Sequence, residues 1–206
     1  MKPYLSSLKQ VCVATLLAAS LGGCAATLIG GAAAVGATAI ADRRSAGTIS
    51  DDNVMEMRIK QQAQRAIEEH YQQNSLVNIY PDLNVTGYNR NILLLGQVLT
   101  EEDKAIAERI AKQETNVRQV YNYITVSGNA RTFGDSADDT MITTRLRSRL
   151  LNVPGVYAGH VKVVTYNHVV YVMGLLTPEQ QNAVTEVVRT TSGVQQVVTL
   201  YETHNP

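Results

Sequence analysis

The sequence predicts an α+β protein made of two tandem copies of one small module, and three observations predict it. Ile92-Leu93-Leu94-Leu95-Gly96-Gln97-Val98 aligns with Val170-Tyr171-Val172-Met173-Gly174-Leu175-Leu176, and Tyr88-Asn89 and Tyr166-Asn167 precede these runs at the same distance. Further on, Asn116-Val117-Arg118-Gln119-Val120 aligns with Gly193-Val194-Gln195-Gln196-Val197, with a single extra position before Thr100 relative to Thr177. Around these anchors, both copies run in the same order from helical to alternating hydrophobic spacing and back.

Each copy opens with an amphipathic helix. In the first, Met55, Ile59, Ala63 and Ala66 recur at helical spacing behind Asp51 or Asp52, either of which suits a cap. In the second, Ile142, Leu146 and Leu150 follow Asp138 or Asp139. A hairpin comes next: Leu83 and Val85 alternate, the chain turns at 88–91, and an apolar strand runs to Gly96. Its counterpart uses Val161 and Val163, a turn at 166–168, and residues 170–173. A second helix is expected over 101–114 and over 178–191, where Pro178 suits a first turn because its missing N–H had no partner there. Last strands follow at 117–126 and 194–201. Helix, strand, strand, helix, strand gives a three-stranded mixed sheet with both helices on one face, since the β-α-β crossover is right-handed. The modules are expected over 51–126 and 138–203, joined by a polar linker over 127–137 that holds Gly128, Asn129, Gly134 and Asp135.

Ahead of the modules lies a different kind of sequence. Lys2 and Lys9 give a basic start, residues 11–21 are apolar, and small residues lead into Cys24, the layout of a secretory signal peptide over 1–23. Leu21-Gly22-Gly23-Cys24 resembles a bacterial lipobox, which implies cleavage before Cys24 and acylation of its thiol. The competing reading is a transmembrane helix, because no charge occurs between Lys9 and Asp42, but the pairs Gly22-Gly23 and Gly30-Gly31 weaken it. Residues 24–50 then form a lipidated, Ala/Gly-rich tether. By resemblance to other lipoproteins, Ala25 in place of an aspartate implies the outer membrane over the inner one, with the folded part facing the periplasm.

Composition removes several function classes. Eighteen Lys and Arg balance eighteen Asp and Glu, so no basic surface advertises nucleic acid. Trp is absent and Phe133 is the sole Phe, which leaves no stacking platform for bases. Cys12 falls in the signal peptide and Cys24 carries lipid, so no thiol remains for a disulfide, a metal or a nucleophile. His70, His160, His168 and His204 show no ligand spacing, and Asp138-Asp139 and Glu101-Glu102-Asp103 stand at helix starts, where capping explains them. No catalytic residue, metal or cofactor is expected.

The glycine closing the second strand, the helix after it and the Gly-Val-x-x-Val entry to the last strand resemble the BON domain. Two such domains behind a lipobox resemble the dual BON-domain lipoproteins of Gram-negative envelopes. The shared pieces are Asp42-Arg43-Arg44-Ser45 with Gly47-Thr48, Thr140 with Ile142-Thr143-Thr144, Arg147-Ser148, Leu150-Leu151, and Met173-Gly174-Leu175 with Thr177. Asn116 replaces the glycine found at Gly193, and asparagine tolerates the left-handed backbone that this turn requires.

The first helix of the second copy carries the candidate site. With Ile142, Leu146 and Leu150 facing inward, Met141, Thr144, Ser148 and Leu151 share the opposite side, flanked by Arg145 and Arg147, with Arg149 nearer the core edge. No Asp or Glu occurs from Thr140 through Pro178. A small apolar face rimmed by arginines suits an anionic bilayer surface, while a solvated helix with incidental arginines is the plainer alternative. The resemblance implies the former: anionic phospholipid held by Met141, Thr144, Arg145, Arg147, Ser148 and Leu151. It also implies a role in outer-membrane integrity, at division sites rich in anionic lipid. The competing function is a protein-interaction scaffold for outer-membrane assembly machinery or for regulators of peptidoglycan hydrolysis. The acidic first copy, with Glu56, Glu68, Glu69, Glu101, Glu102 and Asp103, would avoid anionic lipid and remain free for a partner or for the sister copy.

Overall fold

The computed structural model describes residues 42–74, 81–128 and 133–205, within a compact unit spanning Ala41–Pro206. The signal peptide, Cys24 and tether residues 25–41 lie outside the described residues. The first module consists of α1 (Ala46–Gln73), β1 (Asp82–Tyr88), β2 (Asn91–Val98), α2 (Glu101–Gln113) and β3 (Gln119–Val126). The second repeats it with α3 (Phe133–Leu150), a 3-10 turn (Ala158–His160), β4 (Val161–Tyr166), β5 (Val169–Leu176), α4 (Pro178–Arg189) and β6 (Gln196–Thr203). In each sheet the hairpin is antiparallel and the third strand runs parallel to the central one.

Local chemistry fixes the second helix of each module as the sequence leads one to expect. Thr100 and Asp103 form a reciprocal capping box at α2, and Thr177 and Gln180 form its equivalent at α4, where Pro178 takes the first turn. The first helices depart from expectation. α1 begins at Ala46, capped by Ser45, whose hydroxyl accepts from the Thr48 amide at 3.1 Å, and α3 begins at Phe133. Asp52 and Asp139 therefore sit inside their helices and cap neither.

They are buried instead, and each holds a hairpin turn. The Asp52 carboxylate accepts from the Asn89 and Arg90 amides at 2.8 and 2.7 Å, and Asp139 accepts from the Asn167 and His168 amides at 2.7 and 2.8 Å. All four turn residues have positive φ, between 50° and 66°. Asparagine tolerates that conformation, whereas Arg and His adopt it at a cost that the carboxylate bonds offset. Asn116 (φ 69°) and Gly193 (φ 96°) are left-handed as anticipated. Gly96 has φ 144° and lies so close to the Asp82 carbonyl that a Cβ would fall 1.9 Å from it.

Hydrophobic side chains sort into three clusters. Ile59, Ile67, Ile92 and Leu94 belong to the helix-facing core of the first module, and Ile142, Leu146, Val170 and Val172 to that of the second. Leu93 and Leu95 point the other way and meet Tyr171 and Met173 from the opposite module in a third cluster. The two sheets thus pack together through the faces their helices leave free, which is why β2 and β5 are apolar without alternation. Hydrogen bonds close the rim of this contact. Tyr88 donates to the His160 carbonyl at 2.8 Å, Tyr166 donates to Asp82 at 2.8 Å, and Glu202 accepts from Asn89 and Asn91, both at 2.8 Å.

The segment entering α1 straps both modules. Arg43 donates to the Leu175 carbonyl at 2.6 Å and to Gln180 at 2.8 Å. Arg44 pairs with Asp42 at 2.7 Å and Asp52 at 2.9 Å, and lies 4.1 Å above the Tyr88 ring. Burial opposes the Arg44 charge, yet the Asp42 hydrogen bond and the surrounding anionic groups raise its pKa above the ordinary value. Burial also pushes the Tyr88 phenol far up, against the pull of Arg44.

Candidate functional site

The hydrophobic stripe of α3 fixes its rotation. Ile142, Leu146 and Leu150 are buried in the second core, so the opposite side faces solvent. Met141 is 52% exposed on that side, and Leu151, in the turn just past the helix end, is 69% exposed. Thr144, Arg145, Arg147 and Ser148 are exposed as well, so the fold brings all six predicted residues onto one accessible side.

This side is less polar than its composition suggests. The Thr144 hydroxyl donates to the Thr140 carbonyl at 2.8 Å, and Thr140 donates to the Ser136 carbonyl at 2.8 Å, so both hydroxyls are turned onto the helix backbone. Thr143, beside them, instead bonds Thr165 of β4 at 2.8 Å and ties the helix to the sheet.

The arginines differ in their commitments. Arg149 donates to Thr191 at 2.5 Å and Thr190 at 3.0 Å, which fixes it against the end of α4. Arg145 reaches the Ser192 carbonyl at 3.4 Å. Arg147 makes no hydrogen bond or ion pair among the described residues. None of the three is paired with a carboxylate among the described residues, so their positive charge is unbalanced locally.

Beside the C-terminal end of α3, the fold leaves a groove of about 430 Å³. Arg147, Ser148 and Leu151 line one side of it; Met141, Thr144 and Arg145 do not. Leu150, Val156 and Val163 supply apolar walls, Ile49 comes from α1 and Arg44 from the segment entering it. Tyr157 also lines it and is 58% exposed, its ring edge-on to His160 with centroids 5.1 Å apart. Sequence reasoning passed over Tyr157 because it belongs to no periodic pattern. The available signal was a lone aromatic in the turn-rich stretch between the helix and the strand.

Two of the titratable groups named in the sequence, His70 and Asp103, join elements of the first module. His70 proves to have a carboxylate partner, Asp103, at 2.6 Å, which joins α1 to α2. The other oxygen of Asp103 accepts from the amide and hydroxyl of Thr100, so the carboxylate serves as a cap and a clamp. Among the described residues there is no group of three His, Cys, Asp or Glu side chains placed to hold a metal, and no helix long and apolar enough to cross a membrane.

Comparison with known proteins agrees with the duplication. The BON domain profile matches residues 58–128 and 138–201. The chain is 32% identical over 198 residues to the Outer membrane lipoprotein DolP of Haemophilus influenzae, covering 96% of this chain and 97% of that protein. It is 34% identical over 157 residues to the 21 kDa hemolysin of Actinobacillus pleuropneumoniae, covering 76% of each. Among solved structures, the C-terminal domain of CdsD, a structural protein of the Type III secretion system of Chlamydia trachomatis, aligns at 14% identity with a TM-score of 0.28. That alignment covers 66% of this chain and 64% of that one, and its score is too low to carry an argument.

Proposed function

Because the chain belongs to the BON-domain family, as a dual-BON outer-membrane lipoprotein of the DolP type, we propose that lipid on Cys24 holds it to the outer membrane, facing the periplasm, and that α3 binds anionic phospholipid there. The observation that carries this reading is the exposed side of α3, where Met141 and Leu151 stand out between arginines that no described carboxylate neutralises. Tyr157 adds an aromatic at the same end as Leu151, the residue type that favours a bilayer interface.

The magnitudes fit a tethered protein. Partial burial of Met141 and Leu151 contributes about 2 kcal/mol, and three arginines near an anionic surface add about 3 kcal/mol. Together these correspond to a dissociation constant on the order of 0.1–1 mM. That is too weak to recruit a free protein but sufficient for one already confined to the membrane, where local concentration is high. Lipid binding then selects where on the membrane the protein dwells, with anionic division sites preferred, and supports envelope integrity there.

The test is an NMR titration of the compact unit, Ala41–Pro206, with phosphatidylglycerol and with phosphatidylcholine micelles. Shifts are expected in α3 and the turn after it, with the anionic micelles only, and Met141→Asp should remove them. Equal response to both micelles, or none in α3, would sink the reading.

One observation favours the scaffold alternative. β3 is an edge strand carrying Tyr123 and Val126, each 38% exposed, and exposed strand edges recruit partner strands. If variants that no longer bind lipid fully restore envelope integrity in cells, that alternative prevails.

A further inference from the structure

We infer that the groove between the end of α3 and the start of α1 takes one acyl chain of the anionic phospholipid whose head group α3 contacts. This rests on the lipid-binding reading above and specifies how a single lipid would be held. A volume of about 430 Å³ lies within the roughly 300–1,000 Å³ range of small-ligand sites, which are mostly apolar with a few polar groups.

The lining sorts by chemistry. Leu150, Val156 and Val163 are largely buried yet reach the groove, and the rim carries Leu151 and Tyr157, two large side chains left mainly uncovered. The cations on the lining are not equivalent. The Arg44 charge is taken up by Asp42 and Asp52, and that of Lys162 by Glu56. Arg147 alone of the three is uncommitted among the described residues, so the groove presents an apolar interior with one open positive charge beside it. A ligand with an apolar chain and an anionic end matches this arrangement, and a neutral or cationic amphiphile does not.

The negative end of the α3 dipole would ordinarily work against an anion here. That end is largely occupied: the Asn152 amide bonds the Arg149 carbonyl and the Val153 amide bonds the Leu150 carbonyl, both at 3.1 Å. The groove also continues the outward side of α3, because Ser148 and Leu151 belong to both. A helix lying on the bilayer would therefore present the groove to the lipid layer without reorientation.

The experiment uses the full acylated chain in bilayer discs of phosphatidylethanolamine doped with phosphatidylglycerol that bears a diazirine at the end of one acyl chain. After illumination, adducts are mapped by mass spectrometry. Adducts are expected on Leu150, Val156 or Val163 as well as on Met141 and Leu151. Ala158→Phe, a substitution at an exposed lining position, should abolish the groove adducts and leave those on Met141. Adducts on Met141 and Leu151 alone would overturn the inference while leaving the lipid-binding reading intact; adducts on neither would overturn both. Equal groove labelling by a phosphatidylcholine probe would overturn the assignment to an anionic lipid.

Discussion

Tyr123 of the first module meets Tyr171 of the second with ring centroids 5.1 Å apart and planes inclined at 59°. This pair lies in a contact formed by the sheet faces that the helices do not cover, where Tyr171 and Met173 are buried with Leu93 and Leu95. A face that buries this much apolar surface couples the stability of the two modules. Urea unfolding followed by circular dichroism should give one transition for both. Tyr171→Ala should lower stability by about 3–5 kcal/mol, as for other buried aromatics cut to alanine. A second, separate transition in the unsubstituted protein would contradict the coupling.

The carboxylates of Asp52 and Asp139 act on equivalent turns, each accepting from two backbone amides. Removing Asp139 leaves two turn amides without their acceptor, at a cost of at least about 2–3 kcal/mol. Removing Asp52 does the same and also strips Arg44 of one of its two partners, so the loss should approach about 3–5 kcal/mol. Denaturant midpoints for Asp52→Ala and Asp139→Ala would check both losses. A loss at Asp52 no larger than the two freed amides account for, about 2–3 kcal/mol, would mean that Asp42 alone neutralises Arg44.

Much of this architecture was legible because it is local. Pro178 in the first turn of α4 and the left-handed Asn116 act within a few residues of themselves, as do Thr100 and Thr177, whose capping roles the sequence reading left unassigned. The exposure of five of the six site residues followed from the helical period of α3, while Leu151 lies in the turn just past it. The roles of Asp52 and Asp139 were hidden because their partners lie far along the chain, and an aspartate ahead of a helical stripe looks like a cap. Ser45 and Thr48 did carry the true start of α1, masked by the polar stretch around them. The unbroken run Leu93-Leu94-Leu95 held a signal of burial on both sheet faces that the sequence reading left unused, and nothing local said that the second cover was the sister module. The groove was out of reach for the same reason, since both modules line it.

Alkaline pH should destabilise the fold through its tyrosines. Burial is the leading cause that raises the phenol pKa values of Tyr71, Tyr88, Tyr121, Tyr171 and Tyr201. A raised folded pKa means that the native state holds its proton more tightly than the unfolded chain does. The resulting stability is complete below the unfolded value of 10.0 and is lost as pH climbs past it. Unfolding monitored against pH should therefore show no tyrosine-linked loss at neutral pH and a steep one above 10.0. Tyr88→Phe should make that loss shallower, although it also gives up the bond to the His160 carbonyl.

Charge reversal separates the lipid-facing role of Arg147 from the structural role of Arg149. Each cation near an anionic membrane is worth about 1 kcal/mol, so Arg147→Glu removes one attraction and adds one repulsion, about 2 kcal/mol in all. That corresponds to roughly thirtyfold weaker binding to phosphatidylglycerol micelles. Its folding stability should be nearly unchanged, because Arg147 is exposed and has no partner among the described residues. Arg149→Glu should weaken binding too, but it also breaks the bonds to Thr191 and Thr190 and so should lower the unfolding midpoint. Salt gives an independent check, because a Debye length of about 8 Å at physiological ionic strength shortens further as salt is added. Binding of the unsubstituted protein should weaken with salt, and binding of Arg147→Glu should weaken less. A salt response identical in the two proteins would show that Arg147 does not face the lipid.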